Sequence, residues 1–214
     1  VNEIKSSCDI ARITVDNKSV TLADYIKRPQ NKICEKDCMS LLEKQYSHEN
    51  DLNILRENLK LEKADLIGLS SGAQIAVDFY LQFPDKVNSL VLVSPALSGI
   101  PENDETTEID NKILETINTG KYTQTIQLVY SHPVFAPAIN NTRCNSLLRE
   151  IIQNHDFETT TNNPPTPNPS TAYSKLKEIK VPTLVIIGEN DLNYFHMTSN
   201  VLRTGITKSV LKTV

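Results

Sequence analysis

Hydrophobic and polar positions along residues 46–98 predict a helix, a strand, a second helix and a second strand. Leucines recur at near-helical spacing over Asn50–Leu61, and a compact apolar strand follows at Ala64–Ile67. Residues 73–83 form an amphipathic helical pattern, and Asn88–Ser94 is a β-rich run. A strand, a helix and another strand in succession require parallel pairing of the strands through a right-handed crossover.

The turn between the first strand and the second helix reads Gly68-Leu69-Ser70-Ser71-Gly72. Glycine two places before and two places after Ser70 lets the chain bend sharply where a Cβ would collide with the neighbouring strand or helix. Such a bend raises a serine hydroxyl into a cleft and aims backbone N–H groups at an oxyanion. A Gly/Ser-rich turn without chemistry is the alternative, and the surrounding pattern favours the catalytic interpretation.

A second motif lies near the end of the chain. Thr183–Ile187 has the pattern of a buried strand and is closed by Gly188, so Asp191 falls in the loop just past the carboxyl end of that strand. Open α/β sheets bind their ligands at this end of their strands. Asp191 alternatively serves only as an Asx-type turn residue, and Glu189 is a neighbouring carboxylate that could substitute for it.

The two motifs together resemble the α/β-hydrolase fold superfamily, in its serine hydrolase or esterase-like form. The resemblance is carried by Gly68–Gly72 with the following residues 73–95, and by Val181–Asp191, and it covers about residues 46–98 and 172–214. It implies an α/β fold with a mostly parallel sheet, helices on both faces and a helical lid insertion.

The resemblance also implies a function. A serine hydrolase cleaving a carboxylic ester or a related acyl substrate would use Ser70 as nucleophile, Asp191 as the acid of a catalytic triad and the Ser71 N–H as an oxyanion donor. No metal or organic cofactor is implied. A non-catalytic relative that binds a small ligand or partner in the same cleft is the alternative of a different class.

The triad histidine has no counterpart at the family's position. The family order is serine, acid, then histidine after one more helix and strand, and Ser209–Val214 resembles that last strand. The chain contains His48, His132, His155 and His196. His196 lies only five positions past Asp191, in the predicted start of a helix, where a surface or capping role is expected.

A second feature of the family, near the amino end of the chain, also has no counterpart. Ile10–Val15 alternates like a strand, and Asp16–Ser19 resembles a degraded form of the family's loop at the end of a strand. The preceding loop that would donate a second oxyanion N–H has no counterpart. A sequence that is part of a longer protein explains this gap and the missing histidine together, and a degenerate protein explains both equally.

Residues 99–170 interrupt the alternation of strands and helices, so we divide the chain into a core of 1–98 and 171–214 and a lid insert of 99–170. Within the insert, helical patterns precede a proline-rich return strap at Asn162–Pro169. The helical patterns occupy Ile109–Ile117, Tyr122–Tyr130 and Leu147–Ile152. Apolar residues such as Val129, Phe135 and Ile139 either line an acyl pocket or form the insert's own core, and the second alternative is favoured.

Composition excludes several classes of protein. The chain has 214 residues, a formal net charge of −4 and 39% hydrophobic residues, typical of a soluble globular protein. No cluster of lysine, arginine and aromatic residues is available to bind nucleic acid. No apolar run approaches the ~20 residues that a transmembrane helix needs.

No signal peptide is visible, so we expect a cytoplasmic protein, although a chain without its true start can have lost one. The particular substrate and the oligomeric state stay open.

Four cysteines are scattered along the chain, at positions 8, 34, 38 and 144. Cys34 and Cys38 have a C-x3-C spacing, for which a metal or redox pair is one interpretation and two free thiols on a helix the favoured one. The pair lies within residues 20–45, a mixed-charge stretch that predicts a solvated helix-loop-helix.

Overall fold

The computed structural model describes residues 11–15, 18–21, 48–100, 104–155, 157 and 172–214. The strands are β1 (Ala11–Val15), β2 (Lys18–Thr21), β3 (Ala64–Leu69), β4 (Val87–Val93), β5 (Thr183–Ile187) and β6 (Ser209–Thr213). The α-helices are α1 (His48–Asn58), α2 (Ser71–Gln82), α3 (Asp104–Asn118), α4 (Tyr122–Tyr130), α5 (Ala136–Ile139), α6 (Thr142–Gln153), α7 (Ala172–Lys175) and α8 (Asn193–Gly205). Short 3-10 turns occupy Pro84–Lys86, Pro133–Phe135 and Leu176–Glu178.

The strands form one sheet in the order β2-β1-β3-β4-β5-β6. The four strands from β3 to β6 are parallel, whereas β1 is antiparallel to both β2 and β3. The carboxyl ends of β3 to β6 therefore lie along one side of the sheet, here named the carboxyl edge. This mostly parallel α/β architecture confirms the predicted fold class.

The main hydrophobic core lies between one face of the sheet and the helices packed on it. Along β3, Ala64, Leu66 and Gly68 are buried while the alternate positions are exposed, as the two-residue period of a strand requires. The largest fully buried side chains are Phe79, Leu90, Leu92, Ile179, Ile187, Leu202 and Ile206. Helix α2 is buried over most of its length, since it packs between the sheet and α1.

The chain forms two compact units. The first comprises Val1–Ile100, Thr166–Glu189 and Phe195–Val214, and the second comprises Pro101–Pro165 and Asn190–Tyr194. Most of the described residues of the second unit are helical, and the unit has a core of its own, formed by Ile117, Leu148, Ile152 and Phe157. Val129, Phe135 and Ile139 pack against this cluster, as expected if they belong to the insert's own core.

The interpretation of Asp16–Ser19 as a loop is wrong for its second half. Lys18 and Ser19 belong to β2, and Val15 pairs directly with Lys18 in an antiparallel hairpin. The physical reason is that β-branched residues on both sides of Asp16-Asn17 favour two strands joined by a very short connection.

Other predictions lie outside the described residues. These are the Cys34/Cys38 pair, the proline strap at Asn162–Pro169, and the helix-loop-helix from residue 22 onward. Residues 20 and 21, which that prediction included, belong to β2. In the described part of the chain, no helix is both long enough and apolar enough to cross a membrane.

Candidate active site at the carboxyl edge

Ser70 is the single residue between β3 and α2, and its backbone is strained. Its φ of 53° and ψ of −119° lie outside the regions that a residue with a Cβ ordinarily adopts. A conformation of this kind costs on the order of 1–3 kcal/mol and persists only where the surrounding structure imposes it. The bend predicted at Ser70 is thus present as a sharp turn from strand to helix.

The bend depends on close contact between β3 and the first turn of α2. A Cβ on Gly68 would lie 2.3 Å from the Gly72 carbonyl oxygen and 2.5 Å from the Ala73 nitrogen. Real Cβ contacts are never this short, so glycine is required at position 68 by space. The glycine two residues before Ser70 therefore has the steric role that the sequence predicted.

Backbone hydrogen bonds hold Ser70 from three directions. Its N–H donates to the Val93 carbonyl at 2.9 Å, which continues the β3–β4 ladder by one residue. Its carbonyl accepts from the N–H of Ala73 at 3.0 Å, closing the first turn of α2, and from the N–H of Ala96 at 3.1 Å. The Ser70 hydroxyl makes no capping hydrogen bond to α2, and the residue is half-buried.

Ser71 is the first residue of α2 and is exposed. The N–H groups of a helix's first turn have no partner within the helix and carry its positive dipole end. In a twelve-residue helix starting directly after Ser70, these groups are suited to hold negative charge next to the serine.

Asp191 follows β5 by four residues and is half-buried. It belongs with the second compact unit, whereas Ser70 and Ser71 belong with the first. The chain thus leads from the carboxyl edge at Ile187 to Asp191, as predicted, and the pairing of Asp191 with Ser70 stays a prediction.

None of the four histidines follows β6, the strand after which the family places its catalytic histidine. His132 has both ring nitrogens engaged, since Nε2 lies 3.1 Å from Asp110 Oδ1 and Nδ1 accepts from the Val134 N–H at 3.2 Å. His155 packs edge-on against Phe157. His48 begins α1, and His196 lies in the first turn of α8, as its sequence position predicted.

The loop that follows β4 contributes features that the sequence analysis missed. Ser94, directly after β4, has a φ of 41°, which is also in the left-handed region. Further along, the buried Ser98 hydroxyl lies 3.0 Å from both carboxylate oxygens of the buried Asp78 on α2. Asp78 sits within the apolar run of α2, and a charged residue in such a run was the available signal.

Comparisons with known proteins agree with this geometry. Residues 35–124 match the family model described as the alpha/beta hydrolase fold. The chain is 29% identical, over 76% of its length, to a Bacillus subtilis (strain 168) protein provisionally named 2-succinyl-6-hydroxy-2,4-cyclohexadiene-1-carboxylate synthase. It is 28% identical, over 63% of its length, to the 2-hydroxy-6-oxononadienedioate/2-hydroxy-6-oxononatrienedioate hydrolase of Paraburkholderia phymatum. The chain spans 65% of the first of these relatives and 48% of the second.

Solved structures show the same fold. The structure of MenH from S. aureus has a TM-score of 0.63 and 21% identity, covering 78% of this chain and 64% of that one. The enol-lactonase from Burkholderia xenovorans LB400 has a TM-score of 0.64 and 20% identity, covering 79% of this chain and 65% of that one. These structures show that the chain has the α/β-hydrolase fold, and the match of the family model supports the α/β-hydrolase superfamily.

Proposed function

We propose that the protein is a serine hydrolase that cleaves a carboxylic ester or a related acyl substrate, with Ser70 as its nucleophile. The observation that carries the proposal is the strained backbone of Ser70, at φ 53° and ψ −119°, between β3 and the first turn of α2. Strain of this size is found mainly where it serves a function. In this fold it presents a hydroxyl next to unpaired N–H groups.

The reaction proceeds by acyl transfer. Ser70 Oγ attacks the substrate carbonyl carbon, and its proton passes to a histidine that acts as the general base. The Ser71 N–H and the amino end of α2 stabilise the oxyanion that forms on the carbonyl oxygen. Collapse of this intermediate expels the alcohol, which takes the proton, and water then hydrolyses the acyl-serine by the reverse sequence of proton transfers. Asp191 orients the histidine and stabilises its charged form.

The names of the relatives support a carbonyl-containing substrate. They describe a hydrolase of an oxo-dienedioate and, among the solved structures, an enol-lactonase. Because one fold serves many acyl reactions, only the general reaction class of these relatives is proposed for this chain. That class is attack on an activated carbonyl group.

A non-catalytic α/β-hydrolase relative that binds a ligand in the same cleft is the second candidate. The observation that favours it is the placement of the histidines, above all His132, whose two ring nitrogens already have partners. In this case Ser70 would retain the bend without a base to activate its hydroxyl.

Labelling of the intact protein with a fluorophosphonate probe separates the two candidates. We expect covalent modification at Ser70, complete loss of labelling in Ser70→Ala, and a fall of about 10⁴-fold in the labelling rate of Asp191→Asn, as for the turnover of other triads whose aspartate is replaced by asparagine. Ser89→Ala is the matched control, since Ser89 lies on β4 and donates its hydroxyl to Asp65 Oδ1 at 2.6 Å. Folded wild-type protein that is not labelled at all would establish the ligand-binding candidate instead.

A further inference from the structure

The strained conformation of Ser70 depends on residues 94–98, which directly follow β4 and are here named the post-β4 loop. The Ser70 N–H donates to the carbonyl of Val93, the last residue of β4, at 2.9 Å. The Ser70 carbonyl accepts from the N–H of Ala96 in the loop at 3.1 Å. A positive φ at a residue with a Cβ persists only where surrounding contacts impose it. The contacts that hold the post-β4 loop therefore also hold the nucleophile.

Two buried side chains join the post-β4 loop to the middle of α2. The hydroxyl of Ser98, the last residue of the loop, lies 3.0 Å from each carboxylate oxygen of Asp78. Ser98 is 8% exposed and Asp78 is 5% exposed, so water has little access to this bond. Asp78 lies about 10 Å along the helix from Ser71, at a rise of about 1.5 Å per residue. The loop is thus bound to the nucleophile at Ala96 and to the helix behind the nucleophile at Ser98.

A carboxyl group is a costly choice at this position of α2. The residues on either side of Asp78, Val77 and Phe79, are apolar and fully buried. A carboxyl group taken out of water loses hydration that hydrogen bonds recover only in part. Apolar replacement of both partners of a buried hydrogen bond is often neutral or stabilising. What the bond to Ser98 supplies, and apolar packing does not, is a defined distance and angle between the loop and the helix.

We propose that Asp78 is a positioning residue for the Ser70 nucleophile and acts through its hydrogen bond with the Ser98 hydroxyl. The bond keeps the post-β4 loop against α2, so that the Ala96 N–H stays on the Ser70 carbonyl and Ser70 keeps its strained φ and ψ. A displacement of about 1 Å at a reacting group lowers a reaction rate by up to about 100-fold. The inference rests on the proposed hydrolase function, since the position of Ser70 matters to turnover only if Ser70 reacts.

Hydrolysis of p-nitrophenyl butyrate by the intact protein tests this role. We expect Ser98→Ala and Asp78→Ala each to lower kcat by about 10- to 100-fold and to change KM by less than about twofold, because a displaced nucleophile impairs the reaction step. Since the two residues act through one bond, the double variant should lower kcat no more than the more damaging single substitution. Asp78→Asn keeps an oxygen that accepts from the Ser98 hydroxyl and should retain kcat within about threefold of wild type.

Tyr80→Phe, on the same helix, separates positioning from stability. The Tyr80 hydroxyl accepts from the Lys180 N–H at 3.0 Å, at the entrance of β5 and not at the post-β4 loop. We expect Tyr80→Phe and Ser98→Ala to lower Tm by similar amounts, about 2–8 °C, because each leaves one polar group with one hydrogen bond fewer. The kcat of Tyr80→Phe is expected to stay within about twofold of wild type, since no contact of the post-β4 loop is removed.

The possible failures are separable. An unchanged kcat in Ser98→Ala, with normal wild-type turnover, overturns the role of Asp78 and leaves the hydrolase proposal standing. The same holds if Tyr80→Phe loses as much kcat as Ser98→Ala at an equal loss of Tm, or if the two single effects multiply in the double variant. A kcat of Asp78→Asn as low as that of Asp78→Ala also overturns it. A wild-type protein that neither turns over the ester nor reacts with the fluorophosphonate overturns the hydrolase proposal, and the role of Asp78 with it.

Discussion

Positive φ values at residues other than glycine mark the candidate site at the residue scale. Among the described residues they occur at Lys60, Ser70 and Ser94, and two of these three follow neighbouring strands at the carboxyl edge. Each such conformation opposes folding by on the order of 1–3 kcal/mol. Lys60 lies in an exposed turn, where no chemistry requires the strain, and so provides a reference for the other two.

Gly68→Ala is expected to damage both stability and site. The added Cβ would meet backbone atoms of Gly72 and Ala73 rather than a flexible side chain, so α2 must move away from β3. We expect a loss of about 1–3 kcal/mol in the free energy of unfolding, measured with urea, together with loss of fluorophosphonate labelling. Gly120→Ala, where nothing lies within 4 Å, is the comparison for backbone strain alone and should leave labelling intact. Normal labelling of Gly68→Ala would contradict the steric account of the bend.

At the scale of elements, charged side chains of α1 stabilise the helix and hold the connection that leads from it into β3. Glu49 and Asp51 stand in its first turn and Arg56 in its last, as the helix dipole favours. The buried Arg56 guanidinium donates to the Leu61 carbonyl at 2.5 Å and to Asn53 Oδ1 at 2.9 Å. These bonds hold the short connection that leads into β3, and hence into Ser70.

Asp51 makes the stability contributed by α1 depend on pH. Burial raises the pKa of its carboxyl above the ordinary 3.8, the His48 charge opposes the rise and Glu49 adds to it. The folded state thus binds this proton more tightly, so stability falls as pH rises through the interval between 3.8 and the raised value. We expect Asp51→Asn to remove this loss, giving a Tm advantage over wild type that is larger at pH 8 than at pH 4.

Glu108→Gln provides a control of opposite sign for the Asp51 measurement. A hydrogen bond from Lys112, together with its charge, lowers the pKa of the Glu108 carboxyl below 4.5. The stability that the Glu108 carboxylate contributes through Lys112 is present above the ordinary pKa of the carboxyl and is lost as pH falls. Glu108→Gln should therefore lower Tm slightly at pH 8 and not at low pH. A Tm advantage of Asp51→Asn that is larger at pH 4 would refute the desolvation account.

At the scale of the whole molecule, the parallel sheet brings strand ends that are distant in sequence to the same edge of the sheet. Strands β3 and β4 are close in sequence, whereas β5 arrives almost 90 residues after β4. Parallel pairing places the ends of all three strands at the carboxyl edge, and α2 is joined to the entrance of β5 by Tyr80. The buried Tyr80 hydroxyl accepts from the Lys180 N–H at 3.0 Å, across 100 positions of sequence.

Tyr80→Phe tests that long-range connection. Removing the hydroxyl leaves the part-buried Lys180 N–H without this acceptor, and we expect a loss of about 1–3 kcal/mol in the free energy of unfolding by urea. Tyr173→Phe, at a tyrosine that is 55% exposed, is the control and should change stability by less than about 0.5 kcal/mol. Equal effects of the two substitutions would show that the Tyr80 bond adds little.

Local pattern predicted most elements closely. Thr183–Ile187 and Tyr122–Tyr130 match the observed β5 and α4 from end to end, and the strand predicted at Asn88–Ser94 is shifted by one residue in β4. The strand predicted at Ile10–Val15 matches β1, whereas the family resemblance predicts a loop at Asp16–Ser19 where Lys18 and Ser19 begin β2, because the β-branched residues on both sides of Asp16 favour a hairpin.

The sequence by itself determined the order of strands and helices from α1 to β4 and from β5 to β6, the sharp bend at Ser70 and the position of Asp191 after a buried strand. These features follow from spacing over a few residues, where periodicity and glycine placement are sufficient. Only the tertiary structure decided which residues share the carboxyl edge. The strain at Ser94 and the contact of Ser98 with Asp78 depend on strand register and on helix packing across twenty residues or more, which no local pattern encodes.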